Sequence, residues 1–132
     1  MSLSLDKYFG VYEQSMRIRQ DRAEILANNL ANANTPGFKA RDVDFKAALA
    51  DAESQLAGKM RQTSANHMPG GESMGGQRVQ FRTPSQPDTG DGNTVDTEVE
   101  KMAYMENAYR YNASVQFLTG GITGMLSAIK GE

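Results

Sequence analysis

The sequence has no cysteine, no tryptophan and only one histidine among its 132 residues. The absence of cysteine excludes a disulfide framework and thiolate chemistry. With a formal net charge of −2, the chain has no general attraction to nucleic acid or to anionic membranes. The longest uninterrupted apolar run is only a few residues, so we expect no segment to cross a bilayer. The first residues have neither the basic start nor the continuous apolar core of a cleaved signal peptide.

Residue patterns that would support catalysis are also missing. His67 lies in a glycine-rich stretch and has no cysteine or carboxylate at ligand spacing. The glycine-rich run 70–76 lacks the Gly-Lys-Ser/Thr of a phosphate-binding loop. The Asp/Gly run 88–93 suggests a calcium loop, in which a glycine occupies the sixth position. With Gly92 at that position, Pro87 would occupy the first ligand position, where a side-chain oxygen is needed. We therefore predict that the chain is not an enzyme, holds no cofactor or metal, and binds no nucleic acid.

A cluster of asparagines ends the first predicted helix, where residues 28–39 read NNLANANTPGFK. Asparagine competes with the helix backbone for hydrogen bonds, so this cluster indicates amides that satisfy terminal carbonyls or bond another chain. Capping accounts for Asn34 and extends to Asn32. It accounts poorly for Asn28 and Asn29, which lie one to two turns earlier. For those two we predict hydrogen bonds to a neighbouring chain.

A tight turn and an extended run follow the asparagines. Pro36 and Gly37 fit the central positions of a type II turn, because proline fixes φ and glycine supplies a positive φ. Phe38 then begins a run in which Val43 and Phe45 alternate with aspartates. This alternation predicts extended structure over residues 38–45.

Two long helices are predicted within one domain over residues 1–132. The first lies within residues 1–34, where one face repeats at spacings of three and four. That face comprises Leu5, Phe9, Tyr12, Met16, Arg19, Ala23, Leu26, Leu30 and Ala33. The second lies within residues 94–132. We expect the two helices to pack as an antiparallel, coiled-coil-like hairpin, so the predicted fold class is mainly α.

The second helix carries two apolar stripes. One comprises Tyr104, Ala108, Tyr111, Val115, Leu118, Ile122, Met125 and Ile129, and the other begins with Val95, Val99, Met102, Tyr109 and Ala113. A two-helix hairpin buries only one stripe per helix, so the other stripe needs a second partner. We expect residues 118–129 to dock on a neighbouring chain and the other stripe to close the hairpin.

Three glycines interrupt the second helix, at Gly120, Gly121 and Gly124. Each costs about 1 kcal/mol relative to alanine in a helix interior. Such a cluster indicates either a bend or close backbone approach to another element.

The segment between the helices, residues 35–93, is predicted to be a turn, an extended arm and a loop. Residues 58–92 are rich in glycine and proline, which is typical of an arm without regular structure. Residues 78–82 alternate enough for a short strand. We pair that strand with residues 60–66 as a short β-hairpin.

These features resemble the bacterial flagellar basal-body rod protein family. The resemblance rests on residues 28–45 and on three stretches near the second helix. Those stretches are Asn93-Thr94-Val95-Asp96, Glu100-Lys101-Met102-Ala103 and Asn107-Ala108-Tyr109-Arg110-Tyr111. Distal rod and hook members carry a large inserted domain, whereas this chain has only a short middle. Residues 34–45 also run without insertion, so the chain is most similar to the proximal-rod type.

The resemblance implies a structural subunit that assembles with copies of itself and with other rod proteins. Together they form the drive shaft that transmits torque for motility. The resemblance also implies contact with the MS ring, passage through the flagellar type III export apparatus, and a place in the periplasmic rod of the basal body. The alternative is a soluble helical adaptor or export chaperone that binds a client helix along the spare stripe.

Two sets of residues are candidates for assembly. The candidate assembly motif comprises Asn28, Asn29, Asn32, Asn34, Pro36, Gly37 and Phe38, and the candidate subunit interface comprises Arg19, Leu118, Ile122, Met125 and Ile129. Arg19 interrupts the apolar face of the first helix. Its guanidinium therefore either pairs with a neighbouring chain or extends to solvent while its stem covers apolar surface.

Overall fold

The computed structural model describes residues 5–56, 79–84 and 90–131. Within these residues the fold is mainly helical, with long N-terminal and C-terminal helices and a small antiparallel sheet, which confirms the predicted class. The elements in chain order are α1 (Leu5–Ala31), β1 (Arg41–Val43), α2 (Phe45–Leu56), β2 (Val79–Phe81) and α3 (Thr97–Lys130). None of the described helices is long and apolar enough to span a membrane.

The helices α1 and α3 run antiparallel. Near one end of the pair, the Asn29 amide of α1 donates to the Glu100 carboxylate of α3 over 3.2 Å. Further along, the Asn107 amide of α3 donates to the backbone carbonyl of Arg19 over 2.7 Å. Residue numbers therefore rise along α3 as they fall along α1. Asp96 caps α3, because its carboxylate accepts the backbone N–H groups of the first turn.

The middle of the chain contains a helix that the sequence analysis did not predict. We expected residues 35–93 to be a turn, an extended arm and a loop, whereas residues 45–56 form α2. The Asp44 carboxylate caps this helix by accepting the N–H of Ala47 over 3.0 Å. The run that follows is rich in alanine, the strongest helix former. This propensity outweighs the short alternation that ends at Phe45.

The apolar core lies between α1, β1 and α2. Its buried members are Ile18, Val43 and Ala48, and Ile25, Phe45 and Leu49 pack against them. Ile18 and Ile25 lie off the face that the sequence predicted for α1. That side of α1 had no expected partner, because α2 was not foreseen.

The strands β1 and β2 form a two-stranded antiparallel sheet, in which Arg41 pairs with Phe81 and Val43 with Val79. The short strand predicted within residues 78–82 is confirmed. Its partner in the described part of the chain is β1, and the predicted pairing with residues 60–66 lies outside that part. The N–H of Arg82 extends the ladder by donating to the carbonyl of Ala40 over 2.9 Å.

One line of side chains on α3 is directed towards α1, the helix that packs against it. Its members are buried or half-buried and recur at spacings of three and four: Glu100, Ala103, Asn107, Tyr111, Ser114, Leu118, Gly121 and Met125. This line includes Leu118 and Met125, which belong to the stripe that we expected to dock on a neighbour. It leaves Val99 and Met102 exposed, so the prediction that their stripe closes the hairpin is wrong.

Candidate functional site

The turn after α1 has the predicted form. The N–H of Phe38 donates to the carbonyl of Thr35 over 3.2 Å, and Gly37 has a φ of 72°. A positive φ at this position is typical of a type II turn and favours glycine. The reversal at Pro36 and Gly37 brings β1 against α1. Around it, the end of α1, both strands and the start of α3 meet in what we call the polar junction, defined by Arg22, Asn29, Asp42, Arg82, Asn93 and Glu100.

Asn29 connects α1 to β1 and α3. Its Nδ2 donates to the carbonyl of Arg41 over 2.6 Å, and its Oδ1 accepts the N–H of Arg41 over 3.1 Å. The Asn29 amide therefore forms with β1 the pair of hydrogen bonds that a neighbouring strand would form. Its Nδ2 also donates to the Glu100 carboxylate. Only 1% of Asn29 is exposed. The predicted hydrogen bond from Asn29 to a neighbouring chain is therefore wrong, because the amide is buried and bonded within the subunit.

The other asparagines of the cluster lie nearer the surface. Asn32 donates to the backbone carbonyl of Asn28 over 2.9 Å and accepts the hydroxyl of Thr35 over 3.2 Å. It thus has the capping role that the sequence indicated. Asn28 and Asn34 are exposed, and Phe38 is half-buried. A part for these residues in assembly stays a prediction.

Asn93 caps the end of α1 from a distant part of the chain. Its Nδ2 lies 3.1 Å from the carbonyl oxygen of Asn32, 2.8 Å from that of Ala33 and 2.9 Å from that of Thr35. Its Oδ1 accepts the N–H of Val95 over 2.8 Å. The sequence analysis used Asn93 only as part of the family resemblance. Its spacing from α1 gave no local signal for this role.

Charged side chains complete the polar junction. Asp42 of β1 accepts two hydrogen bonds from Arg22 of α1, at 2.8 and 3.0 Å. Arg82, which follows β2, donates to Asp42 over 2.7 Å and to Glu100 over 2.5 Å. Arg82 thus links β1 to α3 through two carboxylates. Glu100 is only 1% exposed, so its pairing with Arg82 and Asn29 compensates the burial of a charge.

The two carboxylates of the junction have pKa values shifted in opposite directions. Burial raises the pKa of Asp42, but hydrogen bonds from Arg22 and Arg82 outweigh it and hold that pKa below its ordinary value. Burial also raises the pKa of Glu100, and there the Asn29 hydrogen bond and the charge of Arg82 offset it only in part. The pKa of Glu100 therefore lies above its ordinary value.

Arg19 has a different environment from Arg22. Its guanidinium carbon lies 4.1 Å from the centre of the Phe45 ring, which is a cation–π contact. Burial lowers the pKa of Arg19, and the charges of Arg110 and Arg22 lower it further. Within the described residues, its buried Nε has no hydrogen-bond partner. The structure thus places the Arg19 guanidinium against α2, a contact that neither sequence alternative named, and its part in a subunit interface stays a prediction.

The face of α3 turned away from α1 carries several large apolar side chains that are uncovered in the described part of the chain. Met102, Tyr109 and Phe117 are 71%, 77% and 71% exposed, and Val99 and Met105 lie on the same face. We call these five residues the outer face of α3. Ile122 and Ile129, from the predicted interface, are also exposed but lie on a neighbouring side of the helix. Single exposed apolar residues are ordinary, whereas a continuous apolar face marks an interaction surface.

The chemistry of these surfaces is that of binding. No group of three or more histidine, aspartate or glutamate side chains in residues 5–56, 79–84 and 90–131 could hold a metal ion. The junction carboxylates Asp42 and Glu100 are both engaged by arginine. Rigid cross-links at one end and an uncovered apolar face along α3 define a subunit that is built into a larger assembly.

The same class emerges from comparison with known proteins. A model of the flagella basal body rod protein family matches residues 16–39, which include the second half of α1, the asparagine cluster and the turn. The fold and the outer face indicate the same class, that of structural subunits built into an assembly.

Similarity extends over nearly the whole chain. The chain is 44% identical to flagellar basal body rod protein FlgB of Aeromonas hydrophila over 132 residues, which covers 100% of this chain and 99% of that protein. It is 42% identical to FlgB of Cereibacter sphaeroides, covering 93% and 94% of the two chains. With FlgB of Escherichia coli K12 the identity is 36%, covering 96% and 95%. The chain therefore belongs to the FlgB type of flagellar basal body rod proteins and is a structural subunit of the rod.

Proposed function

We propose that this subunit occupies the proximal part of the rod, where the rod meets the MS ring at the inner membrane. The proposal is supported by similarity to FlgB proteins along nearly their full length. In this proposal the chain passes through the flagellar type III export apparatus without a cleaved signal peptide. It then joins the rod in the periplasm, together with copies of itself and other rod proteins.

In this role the subunit transmits torque through side-chain contacts. The observation that carries the mechanism is the outer face of α3, whose large apolar side chains lie opposite the line packed on α1. Burial of apolar surface stabilises a contact by about 25 cal/mol per Å². The outer face therefore packs against neighbouring rod subunits, and Ile122 and Ile129 offer a second apolar surface on another side of α3.

The polar junction has a complementary part in this mechanism. Bidentate and charge-assisted hydrogen bonds impose geometry as well as energy. Arg22, Asp42 and Arg82 thus hold β1, β2 and the start of α3 in one arrangement. A fixed arrangement keeps the outer face in a constant position relative to α1, which a rotating shaft requires at every subunit contact.

The proposal is tested by placing a charge on the outer face. Met102→Lys and Tyr109→Lys each put a cation into a contact that is desolvated on assembly. We expect both variants to lose swimming and to be absent from purified basal bodies, while far-UV circular dichroism of the isolated subunit stays unchanged. An unpaired buried charge costs several kcal/mol, enough to abolish a subunit contact.

Gln20→Lys provides the control, because Gln20 is exposed on α1, away from the outer face of α3, and is already polar. This variant is expected to support swimming. Normal basal bodies from Met102→Lys and Tyr109→Lys would contradict the proposed use of the outer face. Stable binding of the wild-type chain to a single client helix, without entry into basal bodies, would favour the helical adaptor instead.

A further inference from the structure

Arg19 is distinguished from its neighbours by the lack of a carboxylate partner in the described part of the chain. Arg22 is paired with Asp42 at 2.8 Å, and Arg110 is paired with Glu106 at 2.5 Å on the surface of α3. No ion pair among the described residues involves Arg19, although this α1 residue is half-buried and contacts α2 and α3. Its environment therefore holds one more positive charge than its described carboxylates balance.

The surroundings of Arg19 make this imbalance costly. A guanidinium that loses water and gains no carboxylate is destabilised. Burial lowers the pKa of Arg19 most, and repulsion by Arg110 and Arg22 lowers it further. Among the described residues that shift the pKa of Arg19, only Glu106 favours the charged form, and Glu106 already pairs with Arg110.

The position of the guanidinium is nevertheless fixed. The Phe45 ring lies against it at 4.1 Å, and the backbone carbonyl of Arg19 accepts the Asn107 amide over 2.7 Å. Contact with a ring uses a face of the guanidinium and leaves the N–H groups at its edge for an acceptor. Two buried polar atoms of this region, Arg19 Nε and Asn107 Oδ1, have no partner in the described residues.

We propose that Arg19 is a receptor for an acidic side chain of another rod subunit, which pairs with its guanidinium when the rod assembles. The inference rests on the proposed function and adds to it the chemistry of one partner group. Charge complementarity supports the choice, because a carboxylate is the acceptor whose geometry matches the guanidinium fork. In the assembled rod the pair is partly desolvated, so it contributes specificity for the correct neighbour.

The test compares Arg19→Gln with Arg17→Gln. Gln keeps much of the side-chain stem but removes the charge, and Arg17 is an exposed arginine on the same helix. We expect Arg19→Gln to lower the number of copies in purified basal bodies by about tenfold or more. Helicity of the isolated chain is expected to stay the same or to rise, because the uncompensated charge is gone. Arg17→Gln is expected to leave both measurements unchanged.

A charge reversal identifies the partner. Arg19→Glu is expected to abolish swimming, and selected second-site revertants are expected to change an aspartate or glutamate of a rod subunit to lysine, arginine or a neutral residue. A parallel fall in helicity and incorporation for Arg19→Gln would overturn the proposal, since it would assign Arg19 to internal packing. Normal incorporation of Arg19→Gln, or an equal loss in Arg17→Gln, would overturn it as well. Absence of the wild-type chain from basal bodies would instead contradict the proposed function itself.

Discussion

The two ends of the α1–α3 hairpin are stabilised in different ways. At the junction end, the buried polar side chains Asn29, Asn93, Glu100 and Asn107 are bonded across several elements. After Asn107, no described residue of α3 is buried. The junction end therefore has a single arrangement imposed by hydrogen bonds, whereas the far end has Ile122, Leu126 and Ile129 exposed and adds apolar surface to that of the outer face. A subunit of an assembly needs both, because contacts between subunits are accurate only when their own geometry is fixed.

The junction end is most strongly tested by removing Glu100. Glu100→Ala deprives Arg82 and Asn29 of their buried acceptor, and breaking such a pair costs about 3–5 kcal/mol. We expect the isolated subunit to lose cooperative unfolding in urea, followed by circular dichroism at neutral pH. Glu98→Ala is the control, because the Glu98 side chain is exposed. Equal stability of the two variants would show that the network does not hold the junction together.

The buried and exposed asparagines of the cluster are expected to differ in the same assay. Asn29→Ala leaves the N–H and carbonyl of Arg41 without partners, at a cost of about 1–3 kcal/mol. Asn28→Ala changes an exposed residue and is expected to stay within about 0.5 kcal/mol of wild type. A normal unfolding curve for Asn29→Ala would show that these hydrogen bonds do not stabilise the subunit.

The junction also gives stability a pH dependence that the far end of α3 lacks. The lowered pKa of Asp42 contributes stability that is present above about pH 3.9, its ordinary value. That contribution is lost as the pH falls through the lower folded-state value. Asp42→Asn is therefore expected to be less stable than wild type at pH 7, and the difference should shrink below pH 4. Unfolding free energies measured between pH 7 and pH 3 would contradict this if the difference stayed constant.

Glu100 changes the stability with pH in the opposite direction, since its folded-state pKa is raised. Its ionisation opposes folding once the pH rises through that value, and the opposition is relieved as the pH falls. Both chains in the comparison carry Glu100, but Asp42→Asn also removes the charge of Asp42, which contributes to the raised pKa of Glu100, so the difference between them includes a change at Glu100.

The smallest expected effect lies at the far end of α3. A Cβ added at Gly120 or Gly124 would meet nothing within 4 Å in the described residues. Gly124→Ala is therefore expected to stabilise the helix of the isolated subunit by about 1 kcal/mol. Its rod incorporation shows whether a neighbour needs the space: a more helical subunit that fails to assemble would confirm the predicted close approach. Unchanged assembly would leave the glycines without that role.

Local patterns in the sequence predicted α1, α3, the turn at Gly37 and the strand near residue 80, because each depends on residues close together in the chain. The helix α2 was also encoded locally, by Asp44 and the alanines after it, but the alternation of Val43 and Phe45 was given more weight. The partners of Asn29 could not be predicted. Arg41 and Glu100 are 12 and 71 residues away, and no spacing rule connects them to α1.

The choice between the two apolar stripes of α3 failed for a geometric reason. Both stripes fit a heptad repeat, and their members are only a fraction of a helical turn apart. The line that faces α1 lies next to one stripe and includes two polar residues, Glu100 and Asn107. A prediction based on apolar periodicity leaves out those two positions, although they are the most buried on the helix.

The junction has a consequence for the order in which the chain acquires its structure. Helices form from neighbouring residues in microseconds or less, whereas contacts between distant residues require closure of long loops. Asn29 meets Glu100 across 71 positions, and Asn107 meets Arg19 across 88. In the export route proposed above, a chain that has emerged only as far as residue 90 can form α1 but cannot close the junction. The high sequence separation of these contacts therefore acts as a delay, so that the finished shape is available only after nearly the whole subunit has been delivered.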